Sequence, residues 1–146
     1  MMLRHVILSL LATPLAFAAP VPKELKRSDE GGIVGTWQVV RYSAYNEERV
    51  LPATLWRFDG AGKGQFWNAN TRQDMAYNLL PPDGAKSPNR FDYSWDHFKM
   101  KGLYRLDGDT LKIALNNDGG KVRAAELAPG QNTWYWVFER VPAEGK

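Results

Sequence analysis

The residues best suited to chemistry are few, and they fall where strands should turn. Beyond Ala19 the chain has one histidine, His97, next to Asp96. Such a pair can work as acid and base; it reads equally as a solvated turn between two strands. Asp92 and Asp96 form a second candidate, because paired carboxylates can cleave glycosidic bonds. They alternate with Phe91, Tyr93 and Trp95, so a pleated strand turns both away from a core. Asp107 and Asp109 flank Gly108, where aspartate side chains bond the backbone of a turn. The chain has no cysteine, which excludes thiol nucleophiles, iron–sulfur clusters and disulfides. One histidine excludes multi-histidine zinc and copper sites within one chain. No Gly-x-Ser-x-Gly elbow is present. The loop Asp59–Gly64 is rich in glycine, but it has too few oxygen ligands for an EF-hand and lacks the Walker pattern for phosphate. The expectation is a protein without catalytic residues, metal or cofactor.

The conspicuous chemistry is aromatic instead. The sequence holds six tryptophans, six tyrosines and six phenylalanines, a load that suits strands and a packed interior. Trp56, Phe58, Tyr77, Tyr93, Trp95, Trp134 and Trp136 are the candidate lining of a ligand cavity. The same side chains can fill a small barrel completely. Arg123 joins the candidates: pointing inward it could meet an anionic ligand, or it could lie on an aromatic ring in the core.

These residues need elements to position them. Met1–His5 is a short basic start, Val6–Ala19 an apolar run, and Ala16-Phe17-Ala18 the small-x-small pattern of a cleavage site. Residues 1–18 are read as a signal peptide; the run is too short for a spanning helix, which needs about 20 apolar residues. Without a cysteine there is no bacterial lipid anchor, and no later stretch is apolar enough to cross a membrane. Residues 19–32 carry two prolines and mixed charges and are read as a flexible polar arm. The protein is expected to be exported, to the periplasm or beyond the cell. The formal net charge is +3, and loss of Arg4 lowers it further. No basic stripe is present, so no nucleic-acid partner is expected.

From Ile33 onward, short aromatic and β-branched runs alternate with turn clusters about every ten residues. Eight strands are expected. The first is Val34–Tyr42, with Trp37 and Val39, and by the same period Arg41, on one face. Thr54–Asp59 follows with Trp56 and Phe58 inward, then Gln65–Ala69, and Met75–Leu80 with Met75, Tyr77 and Leu79 on one face. Next come Arg90–Asp96, Met100–Leu106, and Thr110–Leu115 with Leu111, Ile113 and Leu115 inward. The last is Thr133–Arg140, where Trp134, Trp136, Phe138 and Arg140 share a face. Asp107-Gly108 is the favoured hairpin pair. Val122–Gln131 reads as an irregular crossing or a short helix, and residues 142–146 as a frayed tail. Antiparallel strands with tight turns close most economically into a single up-and-down barrel over residues 33–141, because closure removes the exposed edges.

Gly35-Thr36-Trp37 resembles the Gly-x-Trp motif of lipocalins and their calycin relatives, in which a last-strand arginine packs over the tryptophan. Arg140 stands at the matching place, and a guanidinium on an indole face is a cation–π contact worth about 0.5–2 kcal/mol. Four stretches together resemble an uncharacterised family of exported lipocalin-like domains expanded in planctomycete bacteria. They are Gly35-Thr36-Trp37-Gln38-Val39-Val40, Phe58-Asp59-Gly60, Ser87-Pro88-Asn89-Arg90-Phe91-Asp92, and Lys101–Ile113. The chain departs from that pattern at Ala114, where the family often has cysteine, and at Ala124, where it often has proline. The resemblance implies a lipocalin-like barrel and no particular activity. The function expected is a non-catalytic binding module, for a small apolar or aromatic ligand in the barrel. The alternative is a protein-binding module, such as an inhibitor of a secreted hydrolase that uses residues 19–32.

Overall fold

A computed structural model of the protein describes residues 32–143. The expected signal peptide and nearly all of the expected arm lie outside these residues, as does most of the expected tail. Within them the alternation of apolar and polar residues becomes β1 (Gly35–Ala44), β2 (Glu47–Arg49), β3 (Leu55–Phe58), β4 (Lys63–Trp67), β5 (Arg72–Leu80), β6 (Asn89–Trp95), β7 (Phe98–Asp107), β8 (Thr110–Asn116) and β9 (Thr133–Arg140). Every pairing between them is antiparallel, each strand from β3 onward lies beside the next, and β1 pairs with β9 to close the sheet. The fold is therefore all-β, a single up-and-down barrel of lipocalin-like architecture. Residues 122–131 form an irregular crossing, joined to the barrel by isolated bridges at Lys101–Arg123 and Gly130–Thr133.

Two features correct the reading from sequence. There is a ninth strand, β2, whose three residues are all exposed. It follows a two-residue turn, Tyr45-Asn46, with φ of 55° and 64°, the doubly positive geometry that matches strand twist in a tight hairpin. β2 takes the edge of β1 at Tyr42–Ala44, beyond the four-residue pairing with β3. The second feature is a bulge. Val39 pairs with Phe138 but Arg41 pairs with Val137, so Val40 is an extra residue on β1. A bulge reverses the side-chain phase. Arg41 consequently lies outside, ion-paired with Glu48 at 3.4 Å, and Tyr42 packs against the core. A smaller difference is the β7–β8 hairpin. Asp107 pairs with Thr110, so its loop residues are Gly108 and Asp109, with Gly108 at φ 59°.

The barrel is packed solid at one end. Ile33, just before β1, is fully buried, and its carbonyl accepts a 2.8 Å hydrogen bond from Trp37 Nε1. The Arg140 guanidinium lies 4.2 Å from the Trp37 ring centroid. It donates to the Val34 carbonyl at 3.1 Å, to Asp109 Oδ1 at 3.1 Å and to the Gly32 carbonyl. Above this floor Phe58 meets Tyr77 edge-on at 5.0 Å, and Tyr77 stacks on Phe91 at 6.0 Å. Leu111, Ile113, Leu115 and Phe138 are buried completely. A second, smaller cluster lies on the outer face of β8 and β9, where Ala124 and Leu127 of the crossing pack on Ala114, Tyr135 and Val137.

Candidate functional site

The other end of the barrel is not filled. There the inner faces of β1, β3, β4, β5, β6, β7 and β9 surround a cavity of 360 Å³ that opens to solvent, bounded also by Leu51, Thr54 and Thr71 at the strand ends. Drug-sized ligands occupy pockets of about 300–1,000 Å³. Trp56 forms the floor: its ring stacks on Tyr93 at 5.6 Å and tilts against Trp136 at 5.3 Å. Tyr42 stacks on Trp136 at 5.2 Å, and Trp134 meets Trp136 edge-on at 5.8 Å. At the rim Trp95 stacks on the exposed Phe98 at 5.3 Å.

Five of the candidates thus come together around one space: Trp56, Tyr93, Trp95, Trp134 and Trp136. Phe58 and Tyr77 do not reach it. They face inward, as the alternation requires, but lie in the packed half, where Tyr77 donates its hydroxyl proton to the Asp59 carbonyl. Arg123 is outside the barrel wall altogether. Its Nη1 donates at 2.8 Å to the Gly102 carbonyl and at 3.4 Å to that of Phe91, and lies 2.6 Å from Asp92 Oδ1. Asp92 alternates outward on β6, so this guanidinium clasps the crossing to the outer face and meets no interior ligand. Asp92 Oδ1 is buried and satisfied by this ion pair without a directed hydrogen bond.

Reasoning from sequence missed Tyr42, Phe66, Gln73 and Met100 as wall residues. Gln73 occupies an inward position of β5, two residues before the buried Met75. Among the described residues the wall contains no aspartate, glutamate, lysine, arginine or histidine. Its tyrosines stay neutral, since burial pushes the Tyr42 phenol up and that of Tyr93 up to about 12. Trp134 Nε1 is buried without a hydrogen-bond partner among the described residues. A buried donor left unpaired costs about 1–3 kcal/mol.

The Tyr93 phenol gives a pH prediction. Its pKa is raised on folding, so the native state holds the proton more tightly than the unfolded chain does. The associated stability is present below the ordinary tyrosine value of 10.0 and is lost as the pH climbs from there through about 12. Urea midpoints measured from pH 8 to 12 should fall across that window in the wild type, and less steeply in Tyr93→Phe. Parallel curves would show that the phenol is not buried as described.

Other groups stand apart from the cavity. Asp96 and His97 form the β6–β7 turn, 2.9 Å apart with both side chains exposed. Three larger hollows lie elsewhere: one of 460 Å³ beside Asn78, Asp92, Lys99 and Lys101, and two, of 710 and 550 Å³, on the outer face of β3–β6 around Arg57, Gln65, Asp74 and Arg72. These walls are polar and solvated, and their side chains bond one another: Gln65 Nε2 donates to Asp74 and Arg72 to Gln65, both at 2.8 Å. They place charged side chains around any occupant, whereas the wall of the interior cavity is aromatic and uncharged. Comparison with protein-family models, with curated proteins and with solved structures returns no match. Topology and packing alone therefore describe this chain: a lipocalin-like barrel, sealed by Trp37 and Arg140 at one end and hollow between aromatic walls at the other.

Proposed function

We propose that this protein is an exported, non-catalytic binding module that holds a small apolar or aromatic ligand in the hollow end of its barrel. The observation that carries the reading is the 360 Å³ cavity walled by Trp56, Tyr93, Trp95, Trp134 and Trp136 with no charged side chain. Burial of apolar surface contributes about 25 cal/mol per Å², and aromatic pairs add about 0.5–1.5 kcal/mol beyond area. Both terms favour a planar, apolar occupant. A second reading, a docking site for a secreted protein, draws on exposed apolar side chains near the mouth, Tyr45, Val50 and Phe98, with Val50 98% exposed.

The first reading is tested by titrating the protein with 2-isopropylnaphthalene, a neutral planar hydrocarbon, and following tryptophan fluorescence. Saturable one-to-one quenching is expected. Trp95→Ala should weaken it about three- to tenfold through the lost stacking surface. Its thermal midpoint should change little, because Trp95 sits at the rim. Quenching that never saturates, or that is indifferent to Trp95, would leave the cavity without a ligand and move the search to a protein partner.

A further inference from the structure

Along β5 the exposed Arg72, Asp74, Ala76 and Asn78 alternate with Gln73, Met75, Tyr77 and Leu79. The second set faces the interior, and three of its members belong to the apolar core. Gln73 is the exception: a polar amide at an inward strand position, half-buried, on the wall of the cavity. It makes no hydrogen bond among the described residues, although an amide can donate two and accept two. Its cross-strand neighbour is Phe66, which cannot pair with it. Thr54 is no rival for this role, since its hydroxyl already donates at 2.7 Å to the Pro52 carbonyl. Trp134 Nε1 is also unpartnered, but it is shielded from solvent; the phenols of Tyr42 and Tyr93 and the Thr71 hydroxyl also line the wall, and Gln73 is its one side-chain amide among the described residues, able to donate and accept at once. An apolar side chain at this position would extend the hydrophobic stripe of β5. In the open cavity water pairs with the amide; an occupant without a hydrogen-bonding group would displace that water and leave the amide unpaired.

We infer that Gln73 selects the ligand, and that the occupant is an uncharged planar molecule carrying a carbonyl, amide or hydroxyl group that hydrogen-bonds the Gln73 amide while its ring system lies among Trp56, Tyr93 and Trp136. This rests on the reading of the cavity as a ligand site and adds the class of ligand. Uncharged follows from the wall: a carboxylate or ammonium moved into it loses water and gains no opposite charge. A hydrogen-bonding group follows from Gln73, whose amide otherwise stays unpaired in the complex.

Three probes of one shape separate the claims: 2-isopropylnaphthalene, 2-naphthamide and 2-naphthoate, each titrated at pH 7 into the wild type and Gln73→Met. In the wild type, 2-naphthoate should bind at least tenfold more weakly than 2-naphthamide. Gln73→Met should weaken 2-naphthamide about tenfold and leave 2-isopropylnaphthalene unchanged or tighter. On the wild type alone, the Gln73 side-chain amide resonances should shift with 2-naphthamide and stay with the hydrocarbon, a readout independent of how the variant folds. Equal responses of the two neutral probes to Gln73→Met, or unmoved Gln73 resonances, would overturn the role of Gln73 while leaving the cavity a ligand site. Tight binding of 2-naphthoate would overturn the requirement for an uncharged ligand. Failure of all three probes to bind the wild type would instead remove the reading of the cavity itself.

Discussion

Trp37→Ala should cost the domain about 3–5 kcal/mol, the usual range for deleting a buried large aromatic. Trp37 is 0% exposed and three separate things depend on it. Its ring fills the floor of the barrel. Its indole N–H satisfies the Ile33 carbonyl at 2.8 Å, holding the chain before β1 across the sealed end. Its face carries Arg140 of the last strand, 4.2 Å from the centroid. Removing it opens a cavity, frees a carbonyl and loosens the β1–β9 closure. Single domains are stable by only about 5–15 kcal/mol, so much of the margin disappears. Urea unfolding followed by circular dichroism measures the loss. Arg140→Met, which keeps the ring and forfeits the cation–π contact, should lose about 1–2 kcal/mol. A loss below about 1 kcal/mol for Trp37→Ala would mean that the sealed end is not what holds the barrel shut.

Gly102→Ala should be comparably damaging, although it adds only one methyl group. Gly102 sits inward in the middle of β7, beside Leu115 of β8. A Cβ there would lie 1.8 Å from the Ala114 carbonyl oxygen and 2.8 Å from its carbonyl carbon. Those are backbone atoms of the neighbouring strand, so no rotamer change relieves the overlap. The β7–β8 ladder must part or β7 must shift. Overpacking commonly costs about 1–3 kcal/mol and sometimes more; a clash with backbone belongs at the upper end, near 3 kcal/mol. Glycine inside a strand often marks a bend where two backbones approach closely. The Gly102 carbonyl also accepts from Arg123, so displacement of β7 should loosen the crossing. Amide exchange across 122–127 should accelerate together with the loss in urea midpoint. Wild-type stability in Gly102→Ala would show that the close approach is not required.

Much of this architecture was legible in the alternation of particular strands. In β6 the aromatics Phe91, Tyr93 and Trp95 fall on every second residue, and in β8 so do Leu111, Ile113 and Leu115. Both sets face inward. The same counting failed on β1, because period-two reasoning cannot see one inserted residue: the bulge at Val40 sends Arg41 outside. It also passed over β2, which buries nothing; the signal available was Tyr45-Asn46 between two short runs, since asparagine tolerates positive φ. Alternation tells which side chains face inward but not how far along the axis they sit. Trp56 and Phe58 share a face of β3, yet Trp56 floors the cavity and Phe58 belongs to the packed half. Arg123 lies in a segment without periodicity, and its place on the outer wall follows from tertiary contacts alone. Gln73 was within reach: extending the β5 pattern two residues back from Met75 puts a polar side chain on the inner face.

The tryptophans themselves supply the most direct test of whether the hollow end takes up a small molecule. The chain has six, in three settings. Trp37 lies under Arg140 at the sealed end, Trp67 lines a hollow of the outer face, and Trp56, Trp95, Trp134 and Trp136 line the cavity. An indole ¹H–¹⁵N spectrum recorded with increasing 2-isopropylnaphthalene reads all six at once. Shifts at Trp56, Trp95, Trp134 and Trp136 that saturate together, with Trp37 and Trp67 unmoved, are the predicted result. Shifts led by Trp67, or no saturable shift at any of the four, would contradict a ligand site inside the barrel.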